Sequence, residues 1–297
     1  MINLELWSSN PDRAAAVAAE GLRQVPKDPE YTALLRKAIL QSQEAKRKET
    51  APAGTPAGER ANTKAGWEFG VERSQIWFSD QRPVWREQVY TISRDTPVGY
   101  LTGNFHRANQ GAYSDSLMEL EMYPRIAKGT YGFVNVAMSQ NFDLFAKRRY
   151  GAEIFQSLPR GYEASAGFRH FQFQNSFNMA TGSVAKYFGN WWVNSRVFLT
   201  PGAEGLSRSV QFSARRYFRD AEHFIGFRGG VGASPFEVRS INETGFLQSE
   251  SFGFEALWKF PNKLRLRASG GMSRQERLFT RERLKLYSAG ITLYYGL

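Results

Sequence analysis

The chain has 297 residues, a formal charge of +11, 14% aromatic residues and no cysteine. That length can bury a sizeable core, and 12 Pro with 27 Gly is too little for a low-complexity polymer. Disulfide scaffolds, thiolate metal sites and thiol catalysis are excluded, and no window approaches the roughly 18 consecutive apolar residues of a membrane helix.

The first ten residues, MINLELWSSN, lack a basic-then-apolar secretion signal, so the expectation is a cytoplasmic chain or one cut from a longer precursor. Residues 1–49 hold eight bases against seven acids, which leaves the positive excess in the remainder. There the bases are spread singly along alternating segments and form no stripe, so nucleic acid is not an expected partner. Within this first part Ala14, Val17, Ala18 and Leu22 recur at helical spacing, VPKDPEY interrupts them, and Leu34, Leu35, Ala38 and Ile39 resume the pattern. A short α-helical hairpin is predicted over 1–49. Residues 50–66, TAPAGTPAGERANTKAG, have no apolar period and read as a flexible linker.

From Trp67 to Leu297 the period is two. Val210, Phe212, Ala214 and Phe218 alternate with Ser209, Gln211, Ser213 and Arg215. Tyr287, Ala289, Ile291, Leu293, Tyr295 and Leu297 alternate with Ser288, Gly290, Thr292 and Tyr294. Short breaks at 94–97, 123–129, 158–161, 189–190, 219–223 and 260–263 take turns with longer polar ones near 78–84, 107–115, 140–147, 174–182, 200–206, 233–247 and 272–282. Together they delimit about 14 antiparallel strands, with 12 to 16 allowed, each long enough to cross a hydrocarbon layer when tilted by about 45°. An even count puts both ends of the sheet on the short-turn side.

Such strands suit a soluble barrel with its oily face inward or a transmembrane up-and-down β-barrel with that face in lipid. Aromatic residues gather beside the short turns, which favours the membrane. Tyr123, Tyr162, Tyr187, Trp191, Trp192, Trp258 and Tyr295 are the expected membrane-interface aromatics. The polar face would then line a lumen with Glu119, Glu121, Glu153, Glu163, Glu255, Arg169, Arg196, Arg215, Arg228, Arg265 and Arg267. These charges either cross-pair and fill the barrel, or line a passage in which arginine forks and the rings of Tyr294, Phe198 and Trp192 meet a sugar or an anion.

The three histidines, His106, His170 and His223, sit in no catalytic constellation. No phosphate loop opens a helix and no metal-ligand spacing occurs. The expectation is therefore no enzyme, no catalytic residue, no cofactor and no metal.

The runs WREQVY (85–90), YP (123–124), LPRGYEASAGFRHFQF (158–173), YFGNWW (187–192) and ARRYF (214–218), in this order, resemble the YaiO-type outer-membrane β-barrel domain over about 67–297. AAAVAAEGLRQVPKDPEYTALL, within 1–49, looks like the end of a tetratricopeptide array. The resemblance implies the outer membrane of a Gram-negative bacterium, with the helical segment in the periplasm. It implies a conduit or docking component for exported surface polysaccharide, with outer-membrane lipid, the polysaccharide and periplasmic export proteins as partners. A structural or receptor-like barrel used in phage adsorption, with a filled lumen and no transport, is the alternative; a lipid-modifying outer-membrane hydrolase is a weaker one.

Overall fold

The computed structural model describes residues 66–173, 176–202, 205–232, 246–277 and 283–297. The helical segment expected over 1–49, and the linker up to residue 65, lie outside the described residues. Fourteen strands follow in chain order: β1 Trp67–Phe78, β2 Trp85–Thr96, β3 Gly99–Gln110, β4 Tyr113–Ala127, β5 Thr130–Ser139, β6 Arg148–Leu158, β7 Tyr162–Gln172, β8 Ser176–Phe188, β9 Trp191–Gly202, β10 Gly205–Tyr217, β11 Phe224–Val231, β12 Phe246–Lys259, β13 Leu264–Arg277 and β14 Arg283–Gly296.

Each strand pairs antiparallel with its neighbours in sequence, and β1 pairs with β14, so the sheet closes with no free edge. The closing seam runs from Glu68 opposite Gly296 to Phe78 opposite Leu286. Tyr294 covers Gly70 there, and a Cβ on that glycine would stand 2.8 Å from the Tyr294 ring. The amide of Leu297 reaches the carbonyl of Trp67 at 2.8 Å, so the last residue lies beside the first strand residue at the short-turn end.

Alternation of side chains decides what the barrel is. On β10 Phe212 is 61% exposed while Ser209 is 5% exposed; on β14 Ile291 is 51% exposed and Thr292 5%. The oily face is therefore outside and the polar face inside. Folding in water would leave a continuous band of Phe, Leu, Ile and Val exposed all round the barrel, far beyond the patches that soluble monomers carry. A hydrocarbon layer removes that cost, and closure satisfies the strand amides that lipid cannot.

Three of the expected long joins are short. β3 and β4 are joined by Gly111 and Ala112 alone, two residues separate β9 from β10, and three separate β7 from β8. Polarity near 107–115 comes from strands that continue past the apolar band, where the outward face is wet, and Gly111 makes its turn at φ 61°. The break expected at 123–129 shrinks in the same way to Lys128 and Gly129, since β4 carries Pro124 and takes up the irregularity in a bulge between Arg125 and Ala127. The longer joins at this end are 79–84, 140–147, 232–245 and 278–282.

Candidate functional site

All eleven charged residues expected in the lumen lie at inward strand positions. The deepest group centres on Glu153 of β6, whose carboxylate accepts from Arg196 Nη1 at 2.7 and 2.8 Å, from Arg169 Nη2 at 3.3 Å and from the Ser165 hydroxyl at 2.6 Å. Glu119 of β4 accepts from Arg149 at 2.7 Å and Asn135 at 3.0 Å, and His106 Nε2 lies 3.3 Å away. The other nitrogen of His106 lies 2.9 Å from Glu87, so the imidazole bridges two carboxylates. Glu255 of β12 takes Arg215 at 2.8 Å and also pairs with Arg267. Near the short-turn end Arg265 joins Glu68 and Glu222, the latter at 2.8 Å. Glu163 accepts from the Tyr131 hydroxyl at 3.2 Å and Glu121 from that of Tyr123 at 3.1 Å. Arg228 of β11 faces the lumen opposite Gly253.

Four of the carboxylates, Glu153, Glu119, Glu255 and Glu68, thus pair with a total of seven basic side chains. This arrangement makes burial of charge tolerable, because an ion taken out of water is stabilised only by close partners that meet its remaining lone pairs. Rings cover the arginines as well: Arg215 lies 4.6 Å from the Phe224 centroid and 5.3 Å from that of Trp192, and Arg265 lies 5.2 Å from that of Tyr294.

The expected interface aromatics divide. Tyr162, Trp191, Trp258 and Tyr295 face outward beside the short turns. Tyr123, Tyr187 and Trp192 do not: they turn inward, Trp192 to 8% exposure under Arg215, Tyr187 against Trp192 at 6.5 Å, and Tyr123 against Phe133 at 5.1 Å. The reason is the strand period. Successive side chains take opposite faces, so only one member of Trp191–Trp192 can meet lipid. Tyr123 shares the parity of Glu119 and Glu121, and Tyr187 that of Thr181 and Ser183.

A second feature escaped the sequence reading. At the long-loop end many of the inward positions are apolar: Ile76, Trp85, Ala108, Leu117, Ala137, Leu284 and Leu286 form one buried cluster. The join between β5 and β6 folds into it, adding Leu144 and Phe145, and Phe145 packs edge-on to Trp85 at 5.7 Å and to His106 at 6.0 Å. Beside it Ala146 packs with Phe171 and Phe173. One carboxylate holds this join in place. Asp115 accepts from the Ser139 hydroxyl at 2.8 Å and from the amides of Asn141, Leu144 and Phe145 at 3.1 to 3.2 Å. The signal was present as the apolar Leu144-Phe145-Ala146 inside the polar stretch SQNFDLFAKRR.

His170 faces outward, stacked on Tyr150 at 4.5 Å, and His223 spans Asp220 at 2.8 Å and the carbonyl of Lys259 at 3.1 Å in the turn between β10 and β11. Among the described residues no group of three or more His, Asp or Glu side chains is placed to hold a metal ion.

The family model described as the YaiO membrane beta barrel domain matches residues 68–237, more than half of the chain. The chain belongs to that family. Among solved structures this YaiO barrel is similar to the CymD monoaromatic hydrocarbon channel, with a TM-score of 0.52 at 8% identity over 83% of this chain and 94% of that one. It is also similar to a bacterial polysaccharide outer membrane secretin (TM-score 0.49, 10% identity, 80% and 100% covered) and to the Acinetobacter baumannii outer membrane protein Omp33 (0.45, 9%, 79% and 100%). At such identities the likeness to CymD speaks for the barrel fold alone. No curated protein matches the YaiO chain in sequence.

Proposed function

We propose that this YaiO barrel is a docking component of a cell-surface polysaccharide system, closed to solutes in its resting form. The observation that carries the closed state is the filling of the lumen at two levels. Glu153, Glu163 and Arg265 are at most 5% exposed in the charged layer, and Trp85, Leu117 and Phe198 at most 2% in and near the apolar layer. Side chains buried to this degree narrow the path that a sugar would need, although Arg228 and Arg267 on the same face remain open to water. The polysaccharide role is supported by the motifs of 85–218 and by the arginine forks and aromatic rings on the inward face, which suit sugar hydroxyls. The reading contains no catalytic step. Its partners are outer-membrane lipid, the polymer and periplasmic export proteins.

Single-channel recording of the full chain in planar bilayers tests it. Conductance near zero, unchanged by neutral or acidic oligosaccharides, is the expected result; a steady open level overturns the closed state. A second reading, a gated conduit, is favoured by one observation: the outer layer hangs on a join fastened by Asp115. Opening on addition of an oligosaccharide would establish the conduit in place of the docking component.

A further inference from the structure

The barrel exterior carries a feature that neither the filled lumen nor the family match uses. Across five consecutive strands, β13–β14–β1–β2–β3, six bases occupy outward positions, five of them toward the long-loop end, Arg274, Arg283, Lys285, Arg86 and Arg107, and the sixth, Arg73, lower down opposite Ile291 in the apolar band. All are exposed. On most of these strands the bases lie beyond the last outward apolar side chain, Lys285 after Tyr287, Arg274 after Met272, Arg107 after Phe105 and Arg86 beyond Tyr90. Trp77 and Tyr287, directly opposite each other on β1 and β14, mark the interface level beside them.

Two facts separate these bases from ordinary surface charge. Arg274 and Lys285 are register partners, and like charges opposite each other repel unless an anion lies between them. The outward bases of the opposite rim are each laid over a ring, Arg94 over Trp67 at 4.9 Å, Lys186 over Tyr162 at 4.2 Å and Arg216 over Trp191 at 5.3 Å. The six have no such ring and no ion pair among the described residues, although two acids, Glu250 and Glu276, stand in register beside Arg274 and Arg283.

We infer that this patch is a docking surface for a phosphorylated glycolipid of the outer leaflet. Its acyl chains lie along the apolar band, its sugar meets the Trp77 and Tyr287 level, and its phosphates are held between guanidinium groups by charge-assisted, forked hydrogen bonds. The excess of bases over Glu250 and Glu276 favours a further anion at a fixed height beside hydrocarbon, which a lipid headgroup supplies. Clustered phosphates on one headgroup answer a cluster of bases better than scattered single ones.

The test refolds the full chain into phosphatidylcholine vesicles carrying a bisphosphorylated glycolipid, the same glycolipid without phosphate, or phosphatidylglycerol at matched charge. The readout is the temperature at which the heat-modifiable folded band is lost. The bisphosphorylated glycolipid should raise that temperature by several degrees, since a ligand bound only by the folded barrel stabilises it. The other two should raise it much less. The combined variant R86Q/R107Q/R274Q/K285Q should lose most of the rise while melting normally in phosphatidylcholine, and R94Q/R216Q on the other rim should keep it. An equal rise with the dephosphorylated glycolipid or with phosphatidylglycerol overturns the inference, as does an undiminished rise in the four-base variant. Should that variant fail to refold, the comparison of lipids on the unaltered chain decides in the same terms.

Discussion

Glu153 and Asp220 show how position determines the worth of a charge in this barrel. Glu153 is enclosed by Arg196 and Arg169, whose side chains are 12% and 14% exposed, so Arg196→Ala removes its closest cationic partner in a place that water barely reaches. Arg169 remains, and the expected loss is about 2–3 kcal/mol, below the full cost of orphaning a buried ion. Arg267 is 31% exposed and leaves Glu255 still paired with Arg215, so Arg267→Ala should cost less than about 1 kcal/mol. Urea midpoints of the refolded barrel in vesicles distinguish the two; equal losses would contradict the layering. Asp220 lies in the turn between β10 and β11, at the short-turn end. Burial alone would push its carboxyl up, but hydrogen bonds from His223 and the Glu222 amide outweigh it and hold the group below the ordinary carboxylate value. A lowered folded value means that its contribution is present above the unfolded value and is lost as pH falls through the folded one. The Asp220→Asn barrel should therefore differ from the unaltered one at neutral pH and converge with it as pH falls through that lowered value.

At the scale of the element, the join of residues 140–147 is the part whose removal changes the barrel most. Asp115→Ala deprives three loop amides and the Ser139 hydroxyl of their acceptor, while Leu144 and Phe145 keep only their apolar contacts. The expected result is a loss of about 2–4 kcal/mol together with the appearance of conductance bursts in planar bilayers. A barrel equally unstable but still silent would mean that the charged layer alone seals the lumen. The strands themselves predict an asymmetry of chemistry. Phe212→Arg places a charge in hydrocarbon and should cost about 2–4 kcal/mol near the midplane. Alternation alone suggests that Ser209→Arg, on the wet face, is mild. The filled lumen alters that expectation: Ser209 is 5% exposed, so an arginine there overpacks the interior. Ser209→Ala is the appropriate mild control, and refolding yields into vesicles check all three.

For the whole molecule, an even number of strands places Trp67 and Leu297 at one end of the barrel, opposite the long joins. A protease site inserted in 232–245 should be cut on intact cells, while a tag after Leu297 should be protected. Cleavage of the terminal tag with survival of the loop site would invert the orientation, and with it the leaflet assigned to the six outward bases.

The sequence by itself determined the alternating strands, their number to within two and the face of each inward charge, because a period of two is a local property and every inward charge follows from parity once the oily face is assigned to lipid. The heights at which strands end were not legible in it: near 107–115 polar residues mark both turns and strands that outrun the membrane, and only pairing with a neighbour tells them apart. The same holds for Tyr123, Tyr187 and Trp192, where closeness to a turn suggested the interface and parity, counted from Glu121, Thr181 and Arg196, sends them inward. Only the closed barrel could decide which carboxylate meets which arginine, since Glu153 and Arg196 are 43 residues apart in sequence and Glu68 and Arg265 are 197 apart. It alone could bring Leu144 and Phe145 from a polar loop to Trp85 and Leu284, because an apolar plug belongs to no single strand's pattern and forms only where walls from opposite sides of the ring converge on it.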